Sequence, residues 1–144
     1  MSDENVELYR RGIDAFNRRD LEAFLALAHP DVIGVSRVLE IEGGPYRGHA
    51  GVRAWWDALL DVFPDFYIEI LSVRGGEQVT VAGLCNRARG EGSAAVEDFV
   101  WQLAEWRAGR VVRWEIHASE AEALEAAGLA SMPEEGLEPP TRGL

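Results

Sequence analysis

Two hydrophobic periods alternate along the chain, and the points where one gives way to the other divide it into elements. Val6, Tyr9, Ile13 and Phe16 recur at steps of three and four, with Glu7, Arg10, Arg11 and Asp14 off that stripe; this is the pattern of an amphipathic helix. After "NRRD", Asp20 stands where its carboxylate caps a second, short helix carrying Leu21, Phe24, Leu25 and Ala28. Pro30 in "HPD" ends it, because the residue before a proline is held away from helical geometry. "VIGVSRVLEI" (32–41) is rich in β-branched residues and reads as a strand closed by "GGP". The helical period returns in "GHAGVRAWWDALLDVF", where Val52, Trp55, Trp56, Leu59, Leu60 and Phe63 share a face and Arg53, Asp57 and Asp61 take the opposite one, until Pro64 stops it.

Four strand-like segments follow: "FYIEILSV", "QVTVAGLCNRAR", "AAVEDFVWQLAEW" and "RVVRWEIHA". The connections "RGGE", "GEGS" and "RAG" are short and carry glycine, which suits antiparallel hairpins. Ser119 and Glu122 form a capping box that opens a last helix, and Gly128 is the expected stop. From Ser131 onward the chain holds three prolines and few apolar groups, so a disordered tail over 131–144 is expected behind one domain at 1–130. Helices segregated from a curved antiparallel sheet make an α+β domain.

Composition narrows the function. The 144 residues suit one domain with a real core. A net charge of −11 repels phosphate backbones and anionic lipid, so neither nucleic acid nor a membrane surface is an expected partner. No apolar run approaches the roughly 20 residues of a membrane span, and no basic start precedes an apolar segment, so a cytoplasmic protein is expected. Cys85 is the single cysteine and reads as a small buried apolar residue. His29, His49 and His117 are far apart, with no cysteine cluster, so no metal is expected, and neither a phosphate loop nor a "GxSxG" motif appears. No cofactor is expected.

The element order and four phrases, "AFNRRDLEAFLALAHPDV", "PYRGHAGVRAWW", "FPDFYIEI" and "GRVVRWEIHASEAEALEAAGL", resemble the SnoaL-like branch of the nuclear-transport-factor-2-like superfamily, a branch of small bacterial proteins. The resemblance implies a cone: a bent sheet wrapped over three helices, open at one end and often dimerising through its outer sheet face. Its members include polyketide cyclases, ketosteroid isomerases, epoxide hydrolases, dehydratases and protein-binding modules. The isomerases need a first-helix tyrosine, a first-strand aspartate base and a second acidic donor on a later strand. Matched by position, this chain offers Gly12, Ser36, and Gln102 or Trp101, so isomerase chemistry of that type is not expected. The cyclases rely on an acidic residue near the end of the last strand, where this chain has Ile116 and His117.

The stretch "RWEIH" (113–117) bears directly on that point. Strand side chains alternate faces, so Val112, Trp114 and Ile116 share one side and Arg113, Glu115 and His117 the other. The apolar set claims the inner face, and His117 points outward unless a bulge inverts the parity. On the preceding strand both sets mix polar and apolar residues, and Asp98 lies either inside with Gln102 or paired with Arg87 or Arg89. Asp98 and His117 are the candidate proton-transfer residues. Ser36, Trp55, Phe63, Phe66, Gln102 and Trp114 are the candidate ligand-binding set, polar partners among aromatic walls. Two readings stay open: a cofactor-free lyase, isomerase or cyclase acting on an apolar small molecule, and a non-catalytic ligand- or protein-binding homodimer. A cavity-facing titratable group separates them.

Overall fold

The structure, a computed structural model, describes residues 2–36, 45–76, 78–89 and 95–131. In chain order the elements are α1 (Ser2–Asn17), α2 (Leu21–Ala26), β1 (Ala28–Ser36), β2 (Tyr46–Arg47), α3 (Gly48–Val62), β3 (Tyr67–Gly75), β4 (Val79–Ala88), β5 (Val96–Arg107), β6 (Arg110–His117) and α4 (Glu120–Ser131). The strands form one sheet in the order β2-β1-β6-β5-β4-β3. Every neighbouring pair is antiparallel except β1 with β6, which is parallel. The purely antiparallel expectation is corrected at that pair. β6 returns from a hairpin with β5 running the same way as β1, and only a parallel ladder lets it dock beside the first strand.

The sequence-derived ends hold where a local signal fixes them. The Asp20 carboxylate accepts from the Ala23 amide at 3.1 Å, and Ser119 Oγ accepts from the Glu122 amide at 3.2 Å, each meeting a donor that a helix N-terminus leaves unpaired. Elsewhere packing moves them. β1 begins at Ala28 and carries Pro30, which is tolerated because its register with β6 is irregular between Ala28 and Ile33. Gly128 does not end α4, which runs on to Ser131. The strand expected over 37–41 and the tail beyond 131 lie outside the described residues.

α1 and α3 pack on one face of the sheet, the inner face. Tyr9, Ile13 and Phe16 of α1 and Trp56 of α3 meet Ile68, Ala82, Leu84, Val100, Ala104 and Trp106 there. α1 is also pinned to the sheet edge: the Asn17 amide donates to the Ile68 carbonyl at 2.9 Å and accepts from its N–H at 3.0 Å, satisfying both polar groups of one β3 residue. Arg19, with φ of 64°, ties the α1–α2 turn to the connection between α3 and β3 by donating to the carbonyls of Pro64 and Phe66 at 2.8 and 2.7 Å. α4 lies on the opposite, outer face, where Ala123 and Ala127 pack against Val79, Val81 and Leu103.

Candidate functional site

The registers turn the sequence parity into two faces. Across the inner face one row runs Ala82, Gln102, Ile116 from β4 to β6. The next row runs Thr80, Ala104, Trp114, Gly34, Tyr46 and reaches β2. Periodicity left β5 undecided; the structure puts Val100, Ala104 and Trp106 inside and Leu103 and Trp101 against α4 outside. On β6, Trp114 packs beside Trp55 and Val52, and Ile116 joins the inner core. A register irregularity opposite Glu105 and Trp106 puts Val111 rather than Val112 in that core. A bulge is present, but it lies before Trp114, so the parity from Trp114 to His117 is kept.

The inner face is largely apolar, and its polar contacts include Trp106 Nε1 donating to Thr80 Oγ1 at 2.9 Å. Tyr9 Oη donates to Gln102 Oε1 at 2.5 Å. Burial pushes the Tyr9 phenol far above its ordinary range, so it stays a donor. With its carbonyl engaged, Gln102 keeps its amide N–H donors, and no described residue accepts from them. Position 12, which the resemblance matches to the isomerases' first-helix tyrosine, is glycine and carries no phenol. The phenol comes instead from Tyr9, one helical turn earlier, and the available signal was its place on the buried stripe.

Rings make a continuous file along this face. Tyr46 stacks on Trp114 with centroids 6.4 Å apart, Trp114 meets Trp55 at 5.7 Å, Trp55 meets Phe16 at 5.8 Å, Phe16 stacks on Phe66 at 5.9 Å, and Phe66 meets Phe63 at 6.4 Å. Four of the expected ligand-binding residues, Trp55, Phe63, Phe66 and Trp114, therefore belong to one connected set. Gln102 stands diagonally across from Trp114 on the neighbouring strand. Ser36 ends β1 with its backbone opposite Ile116; its side chain is outside the described set.

Asp98 and His117 are not brought together. Asp98 shares the Gln102 parity, is exposed, and lies four residues from Gln102, about 13 Å along β5. Arg87 does not pair with it, binding Glu69 at 2.7 Å and Glu97 at 2.5 Å instead, while the Arg89 amide donates to the Asp65 carboxylate at 3.0 Å. Opposite Asp98 is Asn86, whose Oδ1 is buried without a hydrogen-bond partner. His117 lies on the outer face, buried with Glu115, so it cannot reach a molecule held beside Gln102 and Trp114. No group of His, Cys, Asp and Glu among the described residues is arranged to hold a metal, and none of the described helices is long and apolar enough to cross a membrane.

A curved six-stranded sheet with helices filling its inner face defines the cone class of α+β proteins. The SnoaL-like domain model matches residues 9–114, and the chain belongs to that family, within the nuclear-transport-factor-2-like superfamily. Solved structures agree on the fold. A protein from a soil-derived mobile gene cassette is 20% identical, with a TM-score of 0.74 over 87% of this chain and 96% of its own. A nuclear-transport-factor-2-like protein of unknown function from Burkholderia pseudomallei is 23% identical, with a TM-score of 0.72 over 87% and 97%. TerC, crystallised with polyporic acid, is 21% identical, with a TM-score of 0.68 over 85% and 96%. A sequence search of curated proteins found no significant match.

Proposed function

We propose that the protein binds a planar, largely apolar small molecule against the inner face of the cone. The Gln102 amide would hold an acceptor oxygen of that molecule, and Trp55 and Trp114 would wall it. The Tyr9–Gln102 contact carries this reading. It fixes the amide so that donors remain on a face where the surrounding side chains are apolar, and a polar group in such surroundings is valuable to a ligand that satisfies it. The fold relative that holds polyporic acid supports a small molecule in this class of cone. Within this reading the chain is a cofactor-free lyase, isomerase or cyclase, and Asp98, an exposed carboxylate on the Gln102 side of the sheet, moves the proton on the part of the ligand that reaches about 13 Å along β5 from the amide.

Binding of 2-acetylnaphthalene, followed by quenching of tryptophan fluorescence, tests the proposal. Gln102→Leu should weaken it about tenfold, the worth of one hydrogen bond, and leave binding of 2-ethylnaphthalene unchanged. Equal affinity of both proteins for the ketone would exclude Gln102 as its anchor.

A second reading, a homodimer through the outer sheet face, rests on Tyr67 and Phe99, which are 51% and 58% exposed on strands β3 and β5. Apolar side chains of that size grouped on one sheet face fit a second copy of the chain. Phe99→Glu should then convert a dimer to a monomer in sedimentation equilibrium.

A further inference from the structure

Gly34 sits at the middle of β1 between two aromatic residues, Tyr46 on β2 and Trp114 on β6, each its direct partner in the ladder. The two rings close over it, stacked with an interplanar angle of 18°. A β-carbon on Gly34 would overlap Cζ2 and Cε2 of Trp114 and lie 2.7 Å from its Nε1. The indole therefore lies on the β1 side of its own strand, in space that only glycine leaves free. On the other side of Trp114 is Ala104 of β5, and diagonally beyond it Gln102, close enough across neighbouring strands for a long side chain to reach.

We infer that Gly34 is a positioning residue for the ligand site, acting through Trp114. By leaving room for the indole over β1, it keeps that ring off Ala104 and Gln102, so Trp114 forms a side wall of the site and does not plug it. The parked indole also sets how wide a ring system fits. A side chain at position 34 leaves the indole only the β5 side, where it covers the Gln102 amide. This inference rests on the ligand site proposed above and assigns the residue pair that selects ligand size within it.

The test is a double-mutant cycle with two ketones of different width, 2-acetylnaphthalene and 2-acetylanthracene, with thermal unfolding as a control for fold. Gly34→Ala should weaken the two-ring ketone at least tenfold, and the same change in a Trp114→Ala background should shift it by less than about threefold. Trp114→Ala alone should favour the three-ring ketone over the two-ring one by about tenfold relative to the natural protein. If Gly34→Ala binds like the natural protein, or loses as much in the Trp114→Ala background as outside it, the inference is overturned. Should Gly34→Ala not fold, the double variant must fold and bind as Trp114→Ala does, and an unfolded double variant overturns the inference equally. The Gln102→Leu variant separates the two levels. If it weakens ketone binding while the cycle shows no coupling, the size selection fails and the ligand site stands. If neither ketone binds the natural protein, the site itself fails.

Discussion

His117 donates from Nε2 to Oε1 of Glu115 at 2.8 Å on the outer face of the sheet, beside α4. Glu115 also accepts from Nε of Arg113 at 2.8 Å, and Nδ1 of His117 lies 3.7 Å from the Glu122 carboxylate of α4. In isolation a histidine and a glutamate in hydrogen-bond contact look like an acid/base pair. Here they are buried away from the ring-lined face, and the contact joins β6 to the helix that covers it.

Breaking this contact should therefore cost stability and spare binding. Glu115→Leu leaves His117 and Arg113 without their shared acceptor, and about 1–3 kcal/mol should be lost, the cost of leaving a buried donor unpaired. Urea unfolding at neutral pH measures the loss. Affinity for 2-acetylnaphthalene should be unchanged in the folded variant; a selective loss of affinity would return the pair to the ligand site.

Tyr9 predicts the behaviour in alkali. Its phenol is raised by burial above the ordinary value of 10.0, so above about pH 10 the unfolded chain releases a proton that the folded protein keeps. Stability contributed by this group is complete below the unfolded pKa and falls as pH rises past it, by up to about 1.4 kcal/mol per pH unit. Tyr9→Phe should flatten that fall while losing about 1 kcal/mol at neutral pH with the Gln102 bond. Urea midpoints at neutral and alkaline pH for both proteins give the comparison, and parallel declines would contradict it.

Two glycines should respond in opposite directions to alanine. At Gly128, inside α4, a β-carbon meets nothing within 4 Å, so Gly128→Ala should stabilise by about 0.5–1 kcal/mol through helix propensity. At Gly83 a β-carbon would lie 2.8 Å from the Trp101 ring and 3.2 Å from Ser72 Oγ. Gly83→Ala should destabilise by about 1–3 kcal/mol, as overpacking does. Thermal melts of the two variants read both signs directly.

Asp98 is exposed and has no ion pair with Arg87 or Arg89. Asp98→Asn should leave the free energy of urea unfolding within about 0.5 kcal/mol of the natural protein. In a turnover assay on any ketone the protein converts, the same variant should be inactive. Loss of stability with activity retained would instead make Asp98 structural.

The local chemistry of the chain determined much of this protein. Helix stripes, the Asp20 and Ser119 caps, and the glycine-bearing hairpins depend on neighbours a few residues away, so each was legible where it stood. Alternation likewise put Trp114 and Ile116 on one face and Glu115 and His117 on the other, because a strand's period is two wherever it runs. What local pattern did not contain is which face another element covers. β5 carries mixed residues on both sides, and only its ladders with β4 and β6 decide that Gln102 faces inward. The Tyr9–Gln102 bond joins residues 93 positions apart, and the space over Gly34 is filled by a ring from a strand at the other end of the chain. Periodicity is written within one turn or one pleat, whereas a site is written in the distances between elements, which exist only once the sheet has closed over its helices.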